Sequence, residues 1–198
     1  MKVYLSPSFQ PENLYAVGNT NEQEQCRKIA LACKAALVRC GIDCRMPEIS
    51  SGSLNYKISD SNRFQPDFHV PIHTNATPQP TARGPRIFVY SDLTIGQAML
   101  DALNAISPVP CQNGLSINKN LTEILHTSGK CIYVEAAFHD HPDEAAWIIS
   151  HTAEIGEAIA EGICAAAKVP FLHPAPAPPA GYEEWLACYR YAVSQKEV

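Results

Sequence analysis

No run of lysine or arginine occurs in this chain of 198 residues, whose formal net charge is −5. That absence removes the electrostatic footprint with which proteins hold nucleic acid or anionic lipid. No window reaches the ~18 consecutive apolar residues of a membrane-spanning helix. No signal-peptide core follows the start either, because MKVYLSPSFQ carries one lysine and breaks at Pro7. Synthesis in the cytoplasm without a leader is the expectation. Eight cysteines are present, yet Cys-x-x-Cys is missing, and with it the usual zinc and redox motifs.

What is present is ordinary for a globular chain: 46% hydrophobic and 18% charged residues, enough for one domain with a sizeable core. Cys26, Cys33 and Cys40 recur every seven residues, in step with Ile29, Ala30, Ala36 and Leu37. That spacing is one apolar helix face, on which reduced cysteine behaves as a small hydrophobe. Cys40 and Cys44 pair only in an oxidising setting, and Gly41-Ile42-Asp43 between them reads as a helix-to-strand turn.

Residues 3–5 read as a strand running into a polar loop over 6–19. A helix starts near Asn21, whose spacing from Glu24 is that of a capping box, and stops at Gly41. Strands are expected at 42–46, 67–74, 86–90 and 131–138, and helices at 54–65 and 92–106, with an irregular stretch around SPVPCQNG. HPDEAAWIISHTAEIGEAIAEGICAAAK reads as one long helix with Pro142 in its first turn. Asp140 or His141 is expected to cap it. Strands alternating with helices predict an α/β fold, a three-layer sandwich with a mostly parallel central sheet flanked by helices.

The domain is expected over residues 1–168. Five prolines in VPFLHPAPAPPAG mark a linker over 169–181. Residues 182–198 form a short segment with helical patterning, a candidate for docking on the core or for self-association.

Three acidic or imidazole side chains fall at ends of these elements. Glu22 opens the first helix, His73 ends the 67–74 strand and Glu135 lies in the 131–138 strand. The carboxyl ends of parallel strands and the facing helix N-termini line the crevice where such sheets bind ligands. Glu22 alone also suits a helix dipole, and His73 alone is as well explained as a satisfied strand-end histidine. Glu135 is harder to explain structurally, since a carboxylate in the apolar CIYVEAAF must be paired, protonated or catalytic.

NTNEQEQCRKIA, IHTNA and IYVEAAFHDHPDEAAWI, in this order, resemble the zinc-dependent N-acetylmuramoyl-L-alanine amidases of the amidase-3 family. These are cell-wall hydrolases of bacteria and of phage endolysins. The resemblance covers about residues 2–168. It implies Glu22 and His73 as ligands of Zn2+ and Glu135 as the catalytic carboxylate. It also implies Asn75 as a substrate-binding residue, with loops 9–19 and 74–84 as groove walls. Gly84 and RIFVY match the glycine and strand after the second motif. The implied partners are the peptidoglycan stem peptide and N-acetylmuramic acid, reached by leaderless export or phage lysis.

One motif departs from the pattern. Where the family reads Asp-Pro-Gly-His-Gly this chain reads SPSFQ, with Phe9 in place of the first zinc histidine. Gln10 and His139 are the leading candidates for a third ligand, with His69 and His141 behind them. The departure also admits an inactive amidase fold that only binds cell wall or a partner. A zinc carboxypeptidase is a third reading, for which Arg83 or Arg86 would have to bind a terminal carboxylate.

Overall fold

The structure is a computed structural model; it describes residues 1–48, 52–77, 81–174, 181–183 and 186. The core of the Pro-rich linker and nearly all of the 182–198 segment lie outside the described residues, as do residues 78–80 of the 74–84 loop.

β1 (Lys2–Pro7), β3 (Phe68–Asn75) and β6 (Lys130–Phe138) are buried along almost their whole length rather than alternating between core and solvent. Strands buried in this way are covered on both faces, and they occupy the centre of a six-stranded sheet. β2 (Asp43–Arg45), β4 (Arg86–Val89) and β5 (Leu115–Ile117) complete it in the order β2-β1-β3-β6-β4-β5. All pairings are parallel except β4 with β6. Both edge strands are three residues long, which leaves little unpaired backbone to recruit other chains.

α1 (Glu22–Arg39) starts where Asn21 Oδ1 accepts the Glu24 backbone N–H at 3.0 Å. Only half of the capping box forms, because Glu24 turns to Thr20 and Lys28 instead of back to Asn21. Cys26, Ile29, Ala30, Cys33, Ala36 and Leu37 are all buried, and both Cys26 and Cys33 are free thiols. Gly41 follows at φ +74°, the left-handed turn that releases the chain toward β2. α1 packs against α6 (Thr152–Ala167), where Gly156 lets the helices touch: a Cβ there would stand 2.7 Å from the Ile29 carbonyl oxygen. α3 (Thr94–Ile106) flanks α6 on the same face of the sheet. α2 (Leu54–Phe64) and α4 (Thr122–His126) cover the opposite face.

The single helix expected over HPDEAAWII…AAAK is two. α5 (Pro142–Ser150) stops where the Ser150 hydroxyl donates to the Ala146 and Trp147 carbonyls and His151 Nδ1 meets the Trp147 carbonyl. Side chains that engage the last turn in this way loosen the backbone ladder, so α6 starts afresh at Thr152. Neither expected cap forms: His141 makes no side-chain cap, and Asp140 accepts the Thr77 N–H instead. β5 and α4 lie between SPVPCQNG and β6, where the sequence signals no element.

Candidate active site

Side chains on a strand alternate between faces, so His69 and His73 both point toward α2 and α4, while Thr74 points the other way. In the sheet register His73 of β3 lies beside Glu135 of β6. Tyr133, two residues earlier on the same pleat, stacks on the His73 ring with centroids 4.8 Å apart. Glu22 arrives from the first turn of α1, across the carboxyl edge of the sheet. Its Oε1 lies 2.8 Å from His73 Nδ1 and its Oε2 accepts the Asn13 amide at 2.6 Å. Glu22, His73 and Glu135 are therefore gathered at one end of the sheet although they are 113 positions apart in the chain.

The two glutamates have opposite electrostatics. Burial pushes the Glu22 carboxyl up, but hydrogen bonds from His73, Asn13 and Ser8 outweigh it and hold Glu22 below the usual range. Glu135 has no such help. Burial, then the charge of Glu22, raise it well above the usual range, and its Oε2 is shut off from solvent without a hydrogen-bond partner. Two carboxyls pushed apart in this way are the usual signature of divided acid and base roles.

On the other side of His73 lies a group that sequence reasoning missed. Glu123 of α4 is buried; its Oε1 accepts from the Ser6 hydroxyl, faces His69 Nε2 at 3.2 Å and lies 3.9 Å from Lys57 Nζ. Its Oε2 stands 4.0 Å from His73 Nε2. Burial pushes this carboxyl up, yet His69, Lys57 and Ser6 together bring it down to about 2. Lys57, also buried, donates to the Pro7 carbonyl at 3.1 Å and lies under the Phe9 ring. A cavity of about 280 Å³ opens here, bounded by Phe9, Gln10, Lys57, His73, Glu123 and Tyr133. Only the short segment LTEILH signals Glu123 in the sequence, and nothing there marks its charge as buried.

The candidates for a third metal donor are dispersed. Gln10 lines the cavity, its Oε1 accepting from Ser8. His139 follows Thr74 to the opposite face, where its Nδ1 meets the Thr74 hydroxyl and carbonyl and its ring stacks on Tyr15. Burial lowers its pKa, in keeping with a neutral, packed imidazole. His69 is saturated by Ser61 and Glu123. His141 packs edge-on against Phe138. Asn75 sits at the end of β3 with its Oδ1 turned to the Ala76 N–H. Arg83 is spent on Asp143 and the fully buried Glu144. Arg86 donates to the Arg83, Gly84 and Pro85 carbonyls. Both arginines thus hold the loop before β4, and the carboxypeptidase reading loses its candidates for a carboxylate receptor.

Zinc bonds of ~2.0–2.2 Å to nitrogen and carboxylate oxygen bring neighbouring ligands within about 3–3.5 Å of each other. The Glu22–His73 pair has the right donor chemistry, and at 2.8 Å it is closed to hydrogen-bond distance, a few tenths of an ångström short of that spacing. Among the described residues no group of three His, Cys, Asp or Glu side chains is placed to hold a metal. The residues fit a zinc ion at two of the usual three protein positions.

None of the curated proteins compared matches this chain significantly. Solved structures do. The N-acetylmuramoyl-L-alanine amidase AmiC2 of Nostoc punctiforme matches with a TM-score of 0.75 at 16% identity, over 85% of this chain and 97% of that one. An N-acetylmuramoyl-L-alanine amidase of Clostridium difficile 630 matches with a TM-score of 0.74 at 19% identity, covering 84% and 96%. The catalytic domain of the CD27L endolysin targeting Clostridia difficile gives 0.67 at 20% identity, covering 82% and 96%. At such identities these likenesses speak for the fold. The sequence itself matches the family model for N-acetylmuramoyl-L-alanine amidase over residues 4–165, and the chain belongs to that amidase family.

Proposed function

We propose that the chain hydrolyses peptidoglycan at the amide joining the lactyl group of N-acetylmuramic acid to L-alanine of the stem peptide, with Glu135 as the proton-transfer residue. The observation that carries this reading is Glu135 Oε2, buried and without a hydrogen-bond partner, beside the Glu22–His73 pair in a chain of the amidase family. Glu22 and His73 are the residues that would hold zinc, the metal on which the family generally depends. Zinc, when bound, polarises a carbonyl and makes water a stronger acid.

The chain's own residues do the rest. Glu22, held below the usual carboxylate range, meets His73 at Nδ1, and Tyr133 clamps the imidazole by stacking on it. Asn13 anchors the other Glu22 oxygen, so the carboxylate cannot swing away. Glu135 takes a proton from the attacking water and returns it to the departing amine. A positive charge beside it would offset the burial that raises its pKa. Asn75, at the end of β3, would hydrogen-bond the stem peptide through its side-chain N–H groups, its Oδ1 being turned to the Ala76 N–H.

Glu135→Gln tests this. It keeps shape while removing the proton acceptor, so hydrolysis of purified cell wall should fall at least ~100-fold with an unchanged circular dichroism spectrum and zinc content. Activity within a few-fold of the parent ends the assignment of Glu135.

A further inference from the structure

The proton transfer does not use the cavity beside His73, and that cavity is built rather than left over. Phe9, in the place of a family histidine, is wedged by its neighbours. Gly52 lies so close that a Cβ there would meet Phe9 Cδ1 at 2.5 Å, and the Lys57 ammonium stands 5.9 Å from the ring centroid. Tyr133 faces the same space, its ring stacked on His73. Two aromatic rings thus flank a polar floor.

That floor is specific. His73 Nε2 has no hydrogen-bond partner, and Glu123 Oε2 lies 4.0 Å from it. The gap is too long for a hydrogen bond, yet one oxygen at the ordinary ~2.8 Å from each atom spans it. The carboxylate can only accept, and the imidazole nitrogen accepts or donates with its tautomer, so the bridging group must be able to donate and to accept. A hydroxyl does both. The cation in the wall is already committed, since Lys57 serves Pro7 and Glu123. A stem-peptide carboxylate would meet Glu123 instead of a free positive charge. The volume, about 280 Å³, is at the small end for ligand sites. It suits one ring with its substituents.

We infer that this cavity binds the neutral sugar of the substrate, the N-acetylmuramic acid residue, with Phe9 and Tyr133 against its apolar faces and a sugar hydroxyl bridging His73 and Glu123. The inference rests on the amidase reading, and it makes Phe9 a specificity-determining wall instead of a lost ligand.

The test is calorimetric binding to the Glu135→Gln protein of two probes: N-acetylmuramoyl-L-alanyl-D-isoglutamine and the sugar-free dipeptide L-alanyl-D-isoglutamine. Phe9→Ala should weaken the sugar-bearing probe about tenfold, the scale of one aromatic contact, and leave the dipeptide unchanged. Phe9→Leu, which keeps apolar volume without the ring, should show the same split and serves if the alanine variant fails to fold. Equal weakening of both probes means the cavity takes peptide and overturns the inference; so does no weakening of either. If the parent chain cleaves cell wall and the split is absent, the cavity assignment alone falls. If the parent neither cleaves wall nor binds either probe, the amidase reading falls and this inference with it.

Discussion

Glu123→Gln should destabilise the protein at neutral pH by about 3 kcal/mol. The carboxyl sits at about 2 in the folded chain against a reference of 4.5, a difference of 2.5 units, and each unit is worth about 1.36 kcal/mol. Loss of one partner from a buried ion pair gives a similar figure, about 3–5 kcal/mol, because Lys57 would be left uncompensated. The sign follows from linkage. A carboxyl whose folded value is depressed contributes its stability above the unfolded value, and loses it as pH falls toward the folded value. Between pH 7 and pH 3 the gap between parent and variant should therefore shrink by more than half. Urea unfolding of both proteins at the two pH values measures this. An equal midpoint at pH 7, or a gap that does not change at pH 3, refutes the charged network around Glu123.

Gly156→Ala puts a Cβ against Ile29, Ala32 and Cys33 at 2.6–2.8 Å. Prising α1 from α6 should cost about 1–3 kcal/mol in thermal or urea unfolding despite the higher helix propensity of alanine. Phe9→His should not tighten zinc in competition with a chelator of known affinity, because position 9 faces the Lys57 ammonium and the cavity on the Nε2 side of His73. Tighter zinc in that variant would mean that the SPSFQ loop aims residue 9 at the metal.

The order of elements was legible because β1, β3 and β6 each contain a short apolar run, at 3–5, 70–72 and 131–134, and α1 carries an uninterrupted apolar stripe between Asn21 and Gly41. The break at His151 was not. Both α5 and α6 bury one apolar stripe, so the period runs through the junction, and only the side-chain bonds of Ser150 and His151 end the first helix. β5 and α4 were missed for a different reason: three and five residues carry too little periodicity to register. At the site, Glu22, His73 and Glu135 stood out because each is polar at an element end or within an apolar run. Glu123, Lys57 and Asn13 have no such contrast with their neighbours in sequence. They acquire their meaning only when β3 and α4 bring His69 and His73 against Glu123, and when the 6–19 loop folds back on Glu22. His139, attractive beside Pro142 in the sequence, is turned to the Thr74 face, away from His73, by the register shift after the His73–Glu135 pair, past which Asn75 pairs with Phe138.

The most direct test of the account is the chemical identity of the bond that is cut. Purified protein incubated with purified cell wall should release new amino termini, and end-group labelling should identify them as alanine, with no new reducing sugar ends. The Glu135→Gln protein should release none above background. New reducing ends, new termini other than alanine, or undiminished release by the variant would contradict it.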